Sequence, residues 1–339
     1  MYKSILAKTT SRQDLTEQEI AAFIKAIADG EITDSQIAGF QVALLMKGAS
    51  VAEISAFAKA MQANCVPIRP RVSEPLMDTC GTGGGLSTFN ISTATALVTA
   101  SAGIPVAKHG SRSISSLSGS ADVLEALGVH INLSAMQAAR LIEEIGIAFL
   151  YAPLFHPVMG KVLPPETELG IKTIFYTTIG PLINPAFATR HLLGVYELPL
   201  MDKVTESAKA LGYTNAMFVH GLDGLDEISL MGKTRINHLR NGEVTMFEIA
   251  PEDFGMERCG LEKIKTGTPQ VNADTIRGVF DGLITDERKN AIVLNSAGAL
   301  VVGERAADFA AGIQLAREII ESGAAAKKLR ALQEASHAV

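Results

Sequence analysis

The sequence predicts an α/β fold: a small all-helical N-terminal domain, then a large α/β domain with a mainly parallel central sheet. Three observations predict it. Helix start and stop signals repeat through the first 66 residues with no strand pattern between them. "CVPIRPRVSEP" then carries three prolines in eleven residues and reads as a linker. From residue 75 onward, apolar runs, glycine turns and helical stretches alternate, which is the pattern of βαβ units.

Each element has its own signal. Thr16 with Glu19, Thr33 with Gln36, and Ser50 with Glu53 have capping-box spacing, so three helices should begin there. Gly30 and Gly48 stand where helices stop. Ile20, Phe23, Ile24 and Ile27 recur at helical spacing, and Ile37, Phe40, Val42 and Leu44 do so less cleanly. So much apolar surface in a small bundle reads either as a self-contained core or as a homodimer face, and the dimer face is the favoured of the two. Beyond the linker, "LMDT" and "IPVAKHG" read as strands flanking a glycine loop and the helix "ATALVTASAG". "IAFLYA", "NAMFVHG" and "AIVLNSAGAL" are further apolar runs, set among the helices "MDKVTESAKALG" and "AADFAAGIQLAREIIESG".

Composition narrows the function classes. Apolar residues make up 47% and charged residues 19% of the 339, with a net charge of −6, so the chain lacks the basic footprint of a nucleic-acid binder. Cys65, Cys80 and Cys259 are odd in number and far apart, which reads as reduced thiols in a cytoplasmic protein. No apolar run is long enough for a membrane span, and the start lacks the apolar core of a signal peptide.

The chemistry gathers in "MDTCGTGGGLSTFNIST", residues 77–93. Its glycines let backbone N–H groups approach a ligand, the following helix contributes its N-terminus, and Thr88, Ser92 and Thr93 add hydroxyl donors. The loop lacks the Gly-Lys-Ser/Thr of a Walker A motif and the spacing of a dinucleotide fingerprint. Alone, it suits a phosphate cradle or a plain tight turn equally. "KHGSRSISSLSGS" favours the cradle, because it places Lys108 and Arg112 at a second donor-rich strand end. Two such loops with two cations suit a pyrophosphate, which commonly brings Mg²⁺. Asp226 and Glu227, in "GLDGLDEISL", are the candidate ligands, and they can serve one metal only from a turn. A solvated acidic turn is the competing reading.

In "GEITDSQIAGFQVALLMKG", "DTCGTGG", "TFNIST", "VAKHG", "SGSADVLEALG", "GPLINP", "DEIS" and "NSAGAL" the chain resembles the anthranilate phosphoribosyltransferase family nearly end to end. The resemblance implies a hinged small domain, residues 1–66 with a helical segment from about 160–186, on a catalytic domain of residues 75–339, and a homodimer formed through the small domain. It implies transfer of phosphoribose from phosphoribosyl pyrophosphate (PRPP) to the anthranilate amine with Mg²⁺, in tryptophan biosynthesis. The family's PRPP contacts fall on Gly81, Thr82, Gly83, Gly84, Thr88, Asn90, Ser92, Thr93, Lys108, Arg112, Ser115, Ser116 and Ser120. Lys108 and Arg112 are the catalytic expectation, and Ser92, Asp226 and Glu227 the metal ligands. The acceptor falls to Gly81, Ser111, His109 and Glu166. His109 reads as structural rather than as a base, since an aromatic amine is already unprotonated at neutral pH.

Three departures from the family pattern stand out. Gly85 occupies the place of an expected Asp in a loop one residue short. Ser111 replaces an Asn. In "VLPPETELGIKTIFYTTIGPL", Glu166 stands where the family's Arg meets the acceptor carboxylate, Lys172 replaces a second Arg, and Tyr176 replaces an Asn. On this reading Glu166→Arg should lower the KM for anthranilate. The alternatives are a phosphoribosyltransferase of the same fold with another acceptor, and a non-catalytic relative serving as a binding module. The latter predicts eroded phosphate loops and a basic face.

Overall fold

The computed structural model describes residues 1–83, 85–113 and 117–339. Four helices open the chain: α1 (Tyr2–Thr10), α2 (Glu17–Asp29), α3 (Asp34–Lys47) and α4 (Val51–Ala63). The three capping boxes form as the spacing requires, each pairing a hydroxyl with the N–H three residues on and the Glu or Gln there with the cap's own N–H. The sequence signals missed α1, whose N-cap is Met1 and makes no side-chain capping bond.

The sheet joins β1 (Met77–Gly81), β2 (Val106–Gly110), β3 (Ile147–Tyr151), β4 (Arg190–Gly194), β5 (Asn215–Gly221), β6 (Thr234–Arg240) and β7 (Glu243–Ile249). Among the described residues its order is β3-β2-β1-β4-β5-β6-β7. β1 to β5 run parallel, and β6 and β7 form an antiparallel extension. Strand order therefore reverses between β1 and β4, which opens a crevice at their carboxyl ends.

Side chains alternate across the strands and divide the core in two. Leu192, Met217 and Val219 face one cluster with α5 (Ile91–Ser101), α6 (Ser120–Ala126), α7 (Ala135–Ile145) and the helix Glu287–Val302. Leu193, Ala216 and Phe218 face the other, which contains α1–α4 and continues through Val158, Val162, Phe175 and Ile179. The helical start thus shares its core with the sheet's second face and with the segment near residue 160.

One apolar run departs from expectation. "AIVLNSAGAL" is not a strand but the middle of the helix Glu287–Val302. Every residue from Ala291 to Leu300 is buried, so the run carries no polar face to reveal a helical period. No helix among the described residues is long and apolar enough to cross a membrane. All three cysteines are free thiols.

Candidate active site

The crevice at the switch point is a cavity of about 1000 Å³. Its floor is the carboxyl ends of β1 and β2, one rim is the turn after β5, and the opposite wall comes from α8 (Ala152–Phe155) and α9 (Met159–Leu169).

Motifs far apart in sequence are tied beneath it. Asp78, fully buried, accepts the N–H groups of Thr79 at 2.7 Å and His109 at 3.1 Å through Oδ1, and Nδ2 of Asn184 at 2.8 Å through Oδ2. "DTCGTGG", "VAKHG" and "GPLINP" are locked together by that one carboxylate. Asn295, of "NSAGAL", accepts from the Ile228 N–H and donates to the Ile228 carbonyl, both at 2.9 Å, so the long helix holds the "DEIS" turn. Asn90 takes Ser118 Oγ at 3.1 Å and Asn272 Nδ2 at 2.9 Å, which fixes the entry to α5.

Bare backbone lets the acidic turn approach the strand ends. A Cβ on Gly81 would lie 2.5 Å from Asp226 Oδ2, and one on Gly194 only 1.7 Å from the Asp226 carbonyl oxygen. Asp226 Oδ2 accepts the Gly83 N–H at 3.1 Å, joining the acid to the glycine loop. Asp226 and Glu227 both line the cavity from this turn, as one metal cluster requires. Burial raises both carboxyls above the usual range. Glu227 is pushed to about 8, by burial first and then by the neighbouring Asp226 carboxylate. Two neighbouring carboxyls, with Ser92 lining the same cavity and its backbone hydrogen-bonded to Glu227, offer oxygen donors that suit a hard divalent cation.

Gly81, Thr82, Gly83, Thr88, Asn90, Ser92, Lys108, His109, Ser111, Arg112 and Ser120 also line this cavity. Lys108 is buried, with Nζ donating to the Thr79 carbonyl at 2.6 Å, and burial lowers its pKa. Arg112 pairs with Glu125 at 2.6 Å and Asp122 at 2.9 Å, which hold its pKa up. Gly84, Ser115 and Ser116 lie outside the described residues.

Two expectations are corrected. Thr93 does not line the cavity: one helical step past Ser92, it turns inward and its Oγ1 is buried without a partner among the described residues. Glu166 does not line the cavity either. Its carboxylate accepts Gln41 Nε2 at 3.1 Å, the Thr173 N–H at 3.3 Å and the Thr173 hydroxyl, inside the seam between α3 and the segment after α9. The face of α9 that meets the cavity carries Met159, Gly160, Leu163, Pro164, Thr167 and Glu168, and position 166 falls off that stripe. The basis for a lowered KM in Glu166→Arg is thereby removed.

Glu166→Ala should instead cost about 1–3 kcal/mol of stability, through a buried Thr173 N–H left unpaired, with ligand binding in the cavity unchanged. Burial raises the Glu166 pKa, so its contribution is present at acid pH and is lost as pH rises through the folded value. Urea unfolding of wild type, Glu166→Ala and Glu166→Gln across pH measures both effects. Lost ligand binding at full stability would return Glu166 to the cavity wall.

The cavity-lining residues of α8 and α9 went unread, although 159, 160, 163, 164 and 167 form a helical i, i+3, i+4 series. Tyr176 is a further wall residue, with its hydroxyl 3.8 Å from where a Gly83 Cβ would stand. His156 Nε2 lies 3.1 Å from His109 Nε2.

Known proteins share this fold. The α/β domain model of a glycosyl transferase family matches residues 73–326, and the family's helical bundle domain model matches residues 3–65. An anthranilate phosphoribosyltransferase of Thioalkalivibrio sulfidiphilus is 48% identical over 98% of this chain and 97% of its own. The crystal structure of the Thermus thermophilus anthranilate phosphoribosyltransferase superposes with a TM-score of 0.91 at 35% identity, covering 98% of this chain and 99% of that one. The Saccharomyces cerevisiae enzyme, solved in complex with PRPP and Mg, gives a TM-score of 0.91 at 26% identity over 100% of this chain and 98% of its own. Over both its helical and its α/β parts, the chain belongs to the anthranilate phosphoribosyltransferase family.

Proposed function

We propose that the protein transfers the phosphoribosyl group of PRPP to the amine of anthranilate and releases pyrophosphate, a step of tryptophan biosynthesis. The observation that carries this reading is the convergence of the glycine loop, Lys108 and the Asp226–Glu227 turn on one cavity. The glycine loop and the start of α5 offer backbone and hydroxyl donors to phosphate oxygens. Lys108 faces the charge that builds on departing pyrophosphate, and Arg112 joins it by leaving Asp122 and Glu125. Ser92, Asp226 and Glu227 would hold Mg²⁺, which supplies charge neutralisation to the pyrophosphate. Ribose takes on oxocarbenium character as the bond to pyrophosphate breaks, and the neutral amine attacks the opposite face. Positioning and electrostatics suffice, with no protein nucleophile.

On this reading, residues 1–66 with the segment 160–186 form a unit that closes over the α/β part, residues 75–339. The enzyme works in the cytoplasm as a homodimer. Val42, Leu45 and Met46 on α3 support the dimer face, since they stand 42%, 47% and 70% exposed at i, i+3, i+4 spacing. Replacing Leu45 and Met46 together by Glu should convert a dimer into monomers by light scattering. A wild type with the mass of one chain would exclude the dimer.

One observation favours a second reading, a phosphoribosyltransferase with a different acceptor: α8 and α9 contribute no lysine or arginine to the cavity lining among the described residues. Calorimetry of PRPP with and without Mg²⁺, followed by anthranilate consumption, tests both readings. Mg²⁺-dependent PRPP binding with anthranilate turnover is expected. Binding without turnover moves the assignment to another acceptor, and absence of PRPP binding overturns both.

A further inference from the structure

Strand alternation and register gather three metal-ligating side chains on one face of the sheet. Asp78 and Cys80 stand two residues apart on β1, so both point to the same side, and His191 on β4 pairs directly opposite Asp78. Two residues beyond His191, Leu193 faces the helical bundle from that side. A sulfur, an imidazole nitrogen and a carboxylate oxygen come within 4.8 Å of one another there, beneath the crevice where strand order reverses.

Cys80 Sγ lies 3.2 Å from His191 Nε2, and the same nitrogen lies 4.0 Å from Asp78 Oδ2. A tetrahedral zinc ion, with bonds of about 2.3 Å to sulfur and about 2.0 Å to nitrogen and oxygen, holds such atoms about 3.3–3.6 Å apart. The two spacings bracket that range. Hydrogen bonding leaves the donors open. Asp78 Oδ1 takes two N–H groups, but Oδ2 takes only Asn184 Nδ2 among the described residues and keeps a lone pair. His191, wholly buried, has no partner at Nδ1 among the described residues and only the weakly bonding thiol at Nε2. An imidazole buried with so little hydrogen bonding is short of a partner, and its Nε2 already faces the other two donors. Cys80 also lines the cavity, which gives a cation its way in.

We propose that Cys80, His191 and Asp78 form a binding site for one soft divalent cation of the zinc class, separate from the oxygen donors of the acidic turn. Thiolate and imidazole select zinc or cadmium, whereas Mg²⁺ takes oxygen. Binding releases the Cys80 thiol proton to solvent as the metal–sulfur bond forms, with a water from the cavity completing the tetrahedron. Charges nearby act in both directions. Lys108, whose Nζ reaches the Thr79 carbonyl between the two β1 ligands, opposes a cation, while Asp226 and Glu227 favour one. The bound ion would tie β1 to β4 at the switch point. The site stands whether or not the cavity takes PRPP.

The test titrates Cd²⁺ into chelator-treated protein kept in excess Mg²⁺, which fills oxygen sites and leaves thiols free. Wild type should show one equivalent of the ultraviolet cadmium–thiolate band per chain, unchanged in Cys65→Ser/Cys259→Ser and absent in Cys80→Ala. His191→Gln should keep the band and weaken Cd²⁺ binding about tenfold or more. Zinc-edge X-ray absorption of the Cys65→Ser/Cys259→Ser protein leaves Cys80 untouched as the one thiol of the chain. With one equivalent of Zn²⁺ it should give one sulfur at about 2.3 Å among nitrogen and oxygen at about 2.0 Å. A band that survives in Cys80→Ala or vanishes in Cys65→Ser/Cys259→Ser overturns the proposal. So does equal affinity in His191→Gln, or a zinc shell of oxygen alone.

Discussion

Glu227→Gln is expected to lower kcat/KM for PRPP by about a hundred- to a thousandfold, with the Mg²⁺ dependence of PRPP binding lost. The change keeps the shape of the side chain and removes only its ability to ionise. Burial and the Asp226 carboxylate push Glu227 up to about 8, so at neutral pH the pair keeps a proton that an entering cation would displace. A glutamine needs no such proton and carries no ionisation penalty, so the folded protein should be as stable as wild type or more so while binding fails. This opposition of signs separates a ligand from a structural carboxylate, whose loss would cost stability. Asp226→Asn should behave less cleanly, because Asp226 Oδ2 also accepts the Gly83 N–H. Unchanged PRPP binding and turnover in Glu227→Gln would leave the acidic pair a solvated turn.

Much of this site was legible because its signals are local. A capping box occupies four residues, and a glycine loop between strand and helix needs a single window. Local windows and the family resemblance together named Gly81, Lys108, Asp226 and Glu227, and all four line the one cavity. What escaped the reading depends on direction rather than identity. Thr93 and Ser92 are adjacent hydroxyls, but one helical step of rotation sends only Ser92 to the cavity. Glu166 stands at a position that the family resemblance assigns to the acceptor, yet its carboxylate bonds to Gln41 and Thr173 instead. "AIVLNSAGAL" failed for the converse reason: a helix buried on every side erases the period that would betray it. The partner of a buried histidine lies 47 residues away, and no window joins His109 to His156.

Gly194→Ala should do most damage to fold and site together. Gly194 pairs with Gly81 across β1 and β4, at the point where the strand order reverses, and the backbone of Asp226 crosses directly over it. A Cβ there would stand 1.7 Å from the Asp226 carbonyl oxygen and 2.5 Å from its carbonyl carbon. Both atoms are backbone, so no rotamer change relieves the overlap, and either the turn lifts or β4 sinks. The turn is pinned by Asn295 through both polar groups of Ile228, which makes lifting costly. Overpacking of this kind costs about 3 kcal/mol or more, read as a fall of about 5 °C or more in Tm, with PRPP affinity reduced at least about tenfold because Asp226 and Glu227 move together. Gly81→Ala is the informative companion. Its Cβ would meet Asp226 Oδ2 at 2.5 Å, the end of a side chain that can rotate. That variant should keep most of its stability and lose PRPP binding, since rotation takes the carboxylate away from both the Gly83 N–H and the metal position. Thermal unfolding and PRPP calorimetry on the two variants separate the effects. Equal losses of Tm in both would show that the carboxylate is as rigidly held as the backbone beneath it. A Gly194→Ala protein with wild-type Tm and affinity would show that the acidic turn rides freely over the strand ends.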